Sequence, residues 1–140
     1  MAALVRPADW QKEQESIRTI REAVFVQEQK VPADLEWDNQ EESSQHFLVF
    51  NGDVAVGTGR LSKSGKVGRM AIMPSARGKG LGAQLLKAIC DFAKLQGFRS
   101  VYLHAQQHAE GFYIRSGFIP EGETFYEANI PHIKMIRQLH

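Results

Sequence analysis

Residues 77–82, Arg-Gly-Lys-Gly-Leu-Gly, have the composition of an anion-binding loop. They follow an apolar run that ends at Pro74 and precede a stretch with helical periodicity, so a strand should lead through this loop into a helix. The first amides of a helix have no acceptors within it, and the aligned peptide dipoles place about half a positive charge there. The glycines keep Cβ atoms away from these amides, and two basic side chains add full charges. The segment therefore predicts a phosphate-binding cradle.

The spacing of the glycines restricts the kind of phosphate ligand. A P-loop requires Gly-Lys-Ser/Thr, whereas Gly80 is followed by Leu81 and Gly82. The looser G-x-G-x-x-A dinucleotide pattern does fit, but it expects an acidic residue at the end of the next strand, about 20 residues on. That strand-like run, residues 100–103, is followed by His-Ala-Gln. A nucleotide-dependent oxidoreductase stays open only as an alternative.

The spacing resembles the [RQ]-x-x-G-x-[GA] acetyl-CoA motif of the GNAT superfamily of N-acetyltransferases, which Arg77, Gly80 and Gly82 match in register. Residues 112–118, Phe-Tyr-Ile-Arg-Ser-Gly-Phe, resemble that family's F-Y-x-x-x-G-F element. Residues 21–29 and 130–135 are similar to a bacterial subgroup of the family with poorly defined substrates. The resemblance thus extends over essentially the whole chain.

This resemblance implies an α/β (α+β) fold with a mixed, mostly antiparallel sheet flanked by helices. Two strands of the sheet would splay apart to form the acetyl-CoA cleft. The implied activity is an acetyl-CoA-dependent N-acetyltransferase that transfers acetyl directly to a primary amine of a small molecule or peptide. Because the strand at residues 66–73 lacks the carboxylate that many family members carry, a non-catalytic acyl-CoA-binding sensor is the alternative.

The resemblance also implies which residues hold acetyl-CoA. The strand before the cradle would offer backbone groups to the pantetheine arm, the cradle would bind the diphosphate, and two residues further along the chain would contact the arm or the sulfur. In chain order these residues are Met70, Ala71, Ile72, Arg77, Gly78, Lys79, Gly80, Leu81, Gly82, Gln106 and Tyr113.

Acetyl transfer needs a neutral amine, a stabilised carbonyl oxygen and a protonated leaving sulfur. A backbone amide near Ile72 or Met73 is the expected oxyanion donor. The resemblance places Tyr113 beside the sulfur as the general acid, and a phenol with a pKa of about 10 stays protonated at neutral pH. The alternative for Tyr113 is a core tyrosine on the apolar face shared with Phe112 and Phe118. The general base is left open among Glu28, His104 and His132.

Polar residues of the amino-terminal half are expected to line the acceptor pocket. They are Arg21, Glu28, Gln29 and Asp38, with His132 from the carboxyl-terminal part. The alternative for the amino-terminal set is a group of salt bridges that holds a lid. The acidic segment at residues 30–44 would suit a cationic amine.

Composition sets broad limits. A chain of 140 residues predicts one domain, residues 1–140, and 17 basic against 16 acidic residues give no general attraction to nucleic acid or anionic membrane. The single cysteine excludes an internal disulfide, and no signal peptide or apolar run of about 20 residues is found. We therefore expect a cytoplasmic protein without a metal; edge strands are compatible with a homodimer.

Periodicity and turn signals predict the order of the elements. A helix capped by Asp9 should cover residues 10–25, a loop with one helical turn residues 30–44, and a long helix residues 81–97. A short helix is expected at 109–115. Strands are expected at residues 4–7, 47–50, 54–61, 66–73, 101–105, 118–120 and 133–139.

Overall fold

A computed structural model describes residues 3–140 and contains two antiparallel sheets. The first sheet has the order β1-β2-β3-β4, in which each strand pairs with its neighbour in sequence. Its strands are β1 (Ala3–Ala8), β2 (Gln45–Asn51), β3 (Val54–Leu61) and β4 (Val67–Ile72).

The second sheet has the order β5-β7-β6, with β5 (Ser100–Gln106) and a carboxyl-terminal hairpin of β6 (Ile119–Glu127) and β7 (Ile130–Gln138). One parallel bridge, Lys66 to Tyr102, connects it to the first sheet, together with a hydrogen bond of 3.0 Å from the Tyr102 amide to the Gly65 carbonyl. The predicted class, a mixed and mostly antiparallel α/β fold, is confirmed.

Helices pack on both faces of the first sheet. The first helix, α1 (Trp10–Arg21), begins where the Asp9 carboxylate accepts from the Gln11 amide, and it buries Ile17 and Ile20. The α-helix ends earlier than the predicted residue 25, because the chain widens into a π-helical turn over Glu22–Glu28. A single-turn helix, α2 (Ala33–Glu36), lies within the predicted loop.

The long helix α3 (Leu81–Leu95) packs on the first sheet through an apolar stripe. Leu85, Leu86 and Ile89 of this stripe have no exposed surface, and each contributes about 1.5–3 kcal/mol by its burial. Gly59 of β3 permits this close packing, since a Cβ there would lie 3.0 Å from Ile89 Cδ1 and 3.4 Å from Leu85 Cδ2.

The carboxyl-terminal hairpin is longer than the predicted strands at residues 118–120 and 133–139. Its outer strand β6 is almost entirely exposed and therefore lacks an apolar alternation to mark it. A tight turn at Ala128 and Asn129, both with positive φ, joins β6 to β7. A short helix, α4 (Glu110–Arg115), precedes the hairpin and connects β5 to β6.

No helix within residues 3–140 is long and apolar enough to cross a membrane. The same residues contain no cluster of three or more His, Cys, Asp or Glu side chains arranged to hold a metal ion.

Candidate active site

The strands β4 and β5 run parallel from their single bridge and then separate. The bridge lies at Lys66 and Tyr102, the amino-terminal ends of both strands, and no further bridge joins them within the described chain. The separation opens a cleft between the two sheets.

A cavity of about 540 Å³ occupies this cleft. One wall is β4 from Val67 to Met70, and the other is the face of β5 that carries His104 and Gln106. The π-helical turn, α2, α4 and the β6–β7 turn complete it. The other residues that line it are Phe25, Gln29, Val31, Leu35, Glu36, Lys66, Leu103, His108, Ala109, Tyr113, Glu127, Ala128, Ile130 and His132.

The predicted cradle lies between β4 and α3. Gly78 and Gly80 have φ values of +79° and +76°, a left-handed conformation that L side chains rarely adopt. A Cβ at either glycine would meet nothing within 4 Å, so the space above the loop is open. No acceptor in the described chain bonds the amides of residues 78–83, and the first amide to bond in the helix is that of Gln84, to the Gly80 carbonyl. A row of free donors therefore lies at the amino terminus of α3.

The Arg77 side chain does not add an uncompensated charge to this row, contrary to expectation. Its guanidinium makes a two-point ion pair with Glu28, at 2.6 and 2.7 Å, and its Nε donates to the Ile72 carbonyl at 2.9 Å. This pair raises the pKa of Arg77 and lowers the pKa of Glu28. Because Glu28 also lies outside the cavity wall, it is a poor proton acceptor for a substrate.

The expected oxyanion donor near Ile72 or Met73 needs a correction. The Met73 amide donates to the Val56 carbonyl at 2.7 Å and is not available. The irregular part of β4 lies earlier, where Arg69 and Met70 face only Gly59 across the register and Arg69 has a φ of +51°. Such a bulge turns the backbone of a strand away from its ladder, here beside the cavity.

Tyr113 lies on α4 and contributes its ring to the cavity wall. Edge-to-face contacts with Phe112 and Phe118, at ring-centroid distances of 5.0 and 6.1 Å, fix the ring. No described residue hydrogen-bonds its hydroxyl. Burial raises the pKa of Tyr113, so the phenol is protonated at neutral pH and free to donate.

Two histidines reach the cavity from the second sheet. His104 Nδ1 lies 2.5 Å from Glu127 Oε1, and His132 Nδ1 lies 2.7 Å from the Ile130 carbonyl oxygen. Burial lowers the pKa of His104, and Lys66 lowers it further, although Glu127 acts in the opposite direction. His104 is therefore a neutral imidazole at pH 7.

Gln106 joins the two sides of the cleft. Its Nε2 donates to Gln29 Oε1 at 3.1 Å, which connects the end of β5 to the residue that ends the π-helical turn. Both amides line the cavity. From the sequence, Gln106 is expected to contact the cofactor and Gln29 the acceptor.

Arg21 and Asp38 do not line the cavity; they belong to a buried ion network beneath it. Arg21, 1% exposed, bonds the Glu36 carboxylate at 2.6 Å and its carbonyl at 2.8 Å. Asp38 pairs with Arg60 and Arg69; burial alone would raise the pKa of Asp38, but hydrogen bonding to Arg60 holds it below its usual range. The alternative interpretation, salt bridges that hold the lid, describes these two residues.

The network also removes the basis for an acidic lid that attracts a cation. It contains three arginines and three carboxylates: Arg21, Arg60 and Arg69 with Glu36, Asp38 and Glu41. Burial raises the pKa of Glu36 in spite of its arginine partners. The acidic side chains of the segment that face inward are thus already compensated.

Three cavity residues were not among the predicted site residues. Lys66 and Arg69 are scattered basic residues whose roles depend on the separation of β4 from β5. Glu127 lies at the end of β6, beyond the predicted strand at residues 118–120, and only the positive-φ turn at Asn129 could have marked the longer hairpin.

Comparison with known proteins agrees with this architecture. Residues 8–139 match the sequence model of the acetyltransferase (GNAT) domain. The chain is 37% identical over 122 residues to the uncharacterized N-acetyltransferase YjcF of Bacillus subtilis (strain 168), which covers 84% of this chain and 87% of YjcF. It is 35% identical over 128 residues to ElaA of Escherichia coli (strain K12), with coverages of 86% and 84%.

Solved structures give the same result. The crystal structure of Escherichia coli ElaA superposes with a TM-score of 0.88 at 28% identity, over 98% of this chain and 100% of that chain. An acyl-CoA N-acyltransferase from Pseudomonas aeruginosa superposes with a TM-score of 0.85 at 31% identity, over 97% and 98% of the two chains. The chain therefore belongs to the GNAT family and is an acyltransferase whose fold uses acetyl-CoA as co-substrate.

Proposed function

We propose that this protein transfers acetyl directly from acetyl-CoA to the primary amine of a small molecule or peptide. The observation that carries the proposal is the row of unpaired amides at residues 78–83, next to a cleft whose wall holds a protonated tyrosine and a neutral histidine. Direct transfer requires no nucleophile from the protein, because both reactants can occupy one cleft.

The diphosphate is proposed to bind at the amino terminus of α3. The amides of Gly78 to Ala83 supply the donors, and the left-handed glycines keep the approach open. The arm of acetyl-CoA then extends between β4 and β5, where the strands no longer bond each other. The bulge at Arg69 and Met70 supplies backbone groups beside the thioester.

Tyr113 is proposed to protonate the departing sulfur. A phenol whose pKa is raised by burial keeps its proton until a strong base forms next to it, and an alkyl thiolate is such a base. Its hydroxyl has no partner within the described chain that would compete for that proton.

The acceptor is proposed to enter beside α2 and the β6–β7 turn. Apolar side chains, Phe25, Val31, Leu35 and Ile130, line that part of the cavity, together with His132. Since the inward-facing acids of the lid are already paired with arginines, shape and apolar contact rather than lid charge select the amine.

A non-catalytic acyl-CoA sensor is the second candidate, because β4 (Val67–Ile72) carries no carboxylate to act as a base. A thiol-release assay over a broad panel of primary amines, with acetyl-CoA in excess, separates the two functions. Amine-dependent release with a matching acetylated product by mass spectrometry is the expected result. Tight binding of coenzyme A in calorimetry with no release for any amine would leave the sensor as the function.

A further inference from the structure

We propose that His104 and Glu127 form a catalytic dyad, in which His104 takes a proton from the incoming ammonium group and Glu127 positions the imidazole. This inference rests on the proposed amine acetylation and names the base that β4 does not provide. Glu127 acts through His104 and is a positioning residue.

The geometry brings two separate strands to one point. His104 is on β5, and Glu127 is the last residue of β6, on the far side of β7. The hairpin turn at Ala128 directs the chain back over the cleft, so that Glu127 Oε1 lies 2.5 Å from His104 Nδ1. Both residues line the same cavity.

The carboxylate determines the tautomer of the imidazole. An ionised carboxylate only accepts hydrogen bonds, so the proton of neutral His104 is on Nδ1 and is donated to Glu127. The second nitrogen, Nε2, then carries a free lone pair and has no hydrogen-bond partner in the described chain. Without Glu127 the ring would have no reason to keep this tautomer, and the proton on Nε2 would block proton transfer.

Phe125 fixes the plane of the ring. Its ring lies edge-to-face on His104, with centroids 4.9 Å apart, and stacks on His132 at 6.0 Å. The pair of contacts holds His104 from the side of β6 while Glu127 holds Nδ1. The ring is therefore oriented before any substrate binds.

The charged groups around His104 keep it neutral but able to be protonated. Burial lowers the pKa of His104, and Lys66 just before β4 and His132 on β7 lower it further, whereas Glu127 raises it. Lys134, the register partner of His104 on β7, and Tyr102 on its own strand also lie on this face. Glu121 on β6 pairs with Lys134 at 3.6 Å, whereas Glu127 is the carboxylate bonded to the ring itself, so Glu127 is the group that stabilises the imidazolium once it forms.

The protons balance as follows. His104 Nε2 takes one proton from the ammonium group, and the free amine nitrogen forms its bond to the acetyl carbon. The carbon–sulfur bond breaks and Tyr113 gives its proton to the sulfur. The proton that nitrogen loses as the amide forms restores the phenol, and His104 returns its own proton to solvent. The products are the acetamide, the free thiol and one released proton.

The other two candidates for the base lack this arrangement. Glu28 is held in its ion pair with Arg77 and lies outside the cavity. His132 also donates from Nδ1, but to the Ile130 carbonyl. A neutral carbonyl stabilises an imidazolium less than a carboxylate does.

Nitrogen NMR of the imidazoles tests the dyad without requiring an acceptor. In 15N-labelled protein saturated with coenzyme A, His104, assigned with His104→Asn, should be neutral at pH 7 with its proton on Nδ1. Glu127→Ala should shift the proton to Nε2. Glu127→Gln keeps an amide oxygen as acceptor, so it should preserve the tautomer while the pKa of His104 falls. Glu123→Gln, which changes an exposed carboxylate on the same strand without an ion pair in the described chain, should change neither.

Wild-type His104 with its proton on Nε2, or an unchanged tautomer in Glu127→Ala, would overturn the dyad. Should the alanine variant not fold, the fall in the pKa of His104 in Glu127→Gln decides the same point, and no fall overturns it.

Kinetics test the role of the dyad as a base, with an amine found active in the thiol-release assay. Glu127→Ala should lower kcat/KM about 100-fold at pH 7, and the defect should shrink as the pH approaches the amine pKa of about 10, where the amine no longer needs a base. A defect that is constant with pH would show that Glu127 does not serve proton removal. If no amine is acetylated, the proposed function fails, whereas the NMR result on the dyad still stands or falls by itself.

Discussion

The two halves of the cleft differ in where their polar groups find partners. At the amino terminus of α3, the amides of residues 78–83 have no acceptor in the described chain. Across the cleft, the charged side chains of the buried network pair with one another: Arg21, Arg60 and Arg69 with Glu36, Asp38 and Glu41. Amides without acceptors at an open helix terminus are available to an anionic ligand, whereas the paired charges of the network act within the fold.

This difference separates binding from stability. A change in the cradle should weaken the binding of coenzyme A, whereas a change in the buried ion network should lower stability and leave that binding unchanged. The ion pair between Glu28 and Arg77 connects the two halves at their surface. The following variants test this division from the largest expected effect to the smallest.

Arg21→Met should give the largest effect, a loss of about 3–5 kcal/mol in the free energy of unfolding measured with urea. The substitution leaves the buried Glu36 carboxylate without the partner that now lies 2.6 Å away. Arg6→Met, which removes the more exposed ion pair with Glu13, is the control and should cost less than about 1 kcal/mol. Equal losses in the two variants, or a loss of coenzyme A affinity in Arg21→Met, would contradict a structural network.

Tyr113→Phe should lower kcat about 100-fold, or roughly 2.7 kcal/mol in the activation barrier, with unchanged affinity for coenzyme A. The variant keeps the ring contacts with Phe112 and Phe118 and removes only the proton donor. Tyr126→Phe removes a hydroxyl from an exposed tyrosine and should leave turnover as it is. Wild-type turnover in Tyr113→Phe would remove this residue from the mechanism.

Gly80→Val should lower the affinity for coenzyme A, measured by calorimetry, about 30-fold, or roughly 2 kcal/mol. A β-branched side chain is strained at a φ of +76° and would fill the open space above the cradle. Gly97→Val is a matched control, because Gly97 has a φ of +93° and equally open surroundings just beyond the other end of α3. Both variants should lose stability, and only Gly80→Val should lose affinity; equal affinities would locate the diphosphate elsewhere.

Glu28→Gln should have the smallest effect of these variants, and it should raise rather than lower the affinity for coenzyme A. Release of Arg77 adds one uncompensated positive charge beside the cradle, so the affinity for coenzyme A should rise about two- to threefold at low salt and return to the wild-type value at high salt. A tenfold loss of affinity, or loss of turnover at unchanged affinity, would instead give Glu28 a part in binding or chemistry.

The loop and helix start at residues 77–82 could be predicted from the sequence, because a glycine-rich turn and a helix start are local features. The signals for this turn and helix, Gly78, Gly80 and the apolar stripe that follows, lie within one segment of about 20 residues. Family, fold class and the strand that precedes the loop followed from the same short segments, and the comparisons confirm the family.

The acceptor side could not be predicted in the same way, since its contacts join distant parts of the chain. The partner of Arg21 is 15 residues away, that of Arg60 is 22 residues away, and that of Arg77 is 49 residues away. Whether a polar side chain lines a pocket or pairs beneath it depends on those contacts. Gln29 lines the cavity, whereas Arg21, predicted with it, lies in the buried network.

The second sheet shows a related limit. Strand β6 is exposed along most of its length and contains a register shift between Glu121 and Phe125, so no alternation marked it. Because Glu127 is its last residue, the partner of His104 could not be foreseen either.

Amide chemical shifts recorded while coenzyme A is added give the plainest test of the cradle. The largest changes should fall on the amides of residues 78–83, together with residues of β4 at the separation from β5, while the amides around Arg21 and Glu36 stay within line width. Saturating coenzyme A that leaves the amides of Gly78, Gly80 and Gly82 unchanged would contradict binding at the amino terminus of α3.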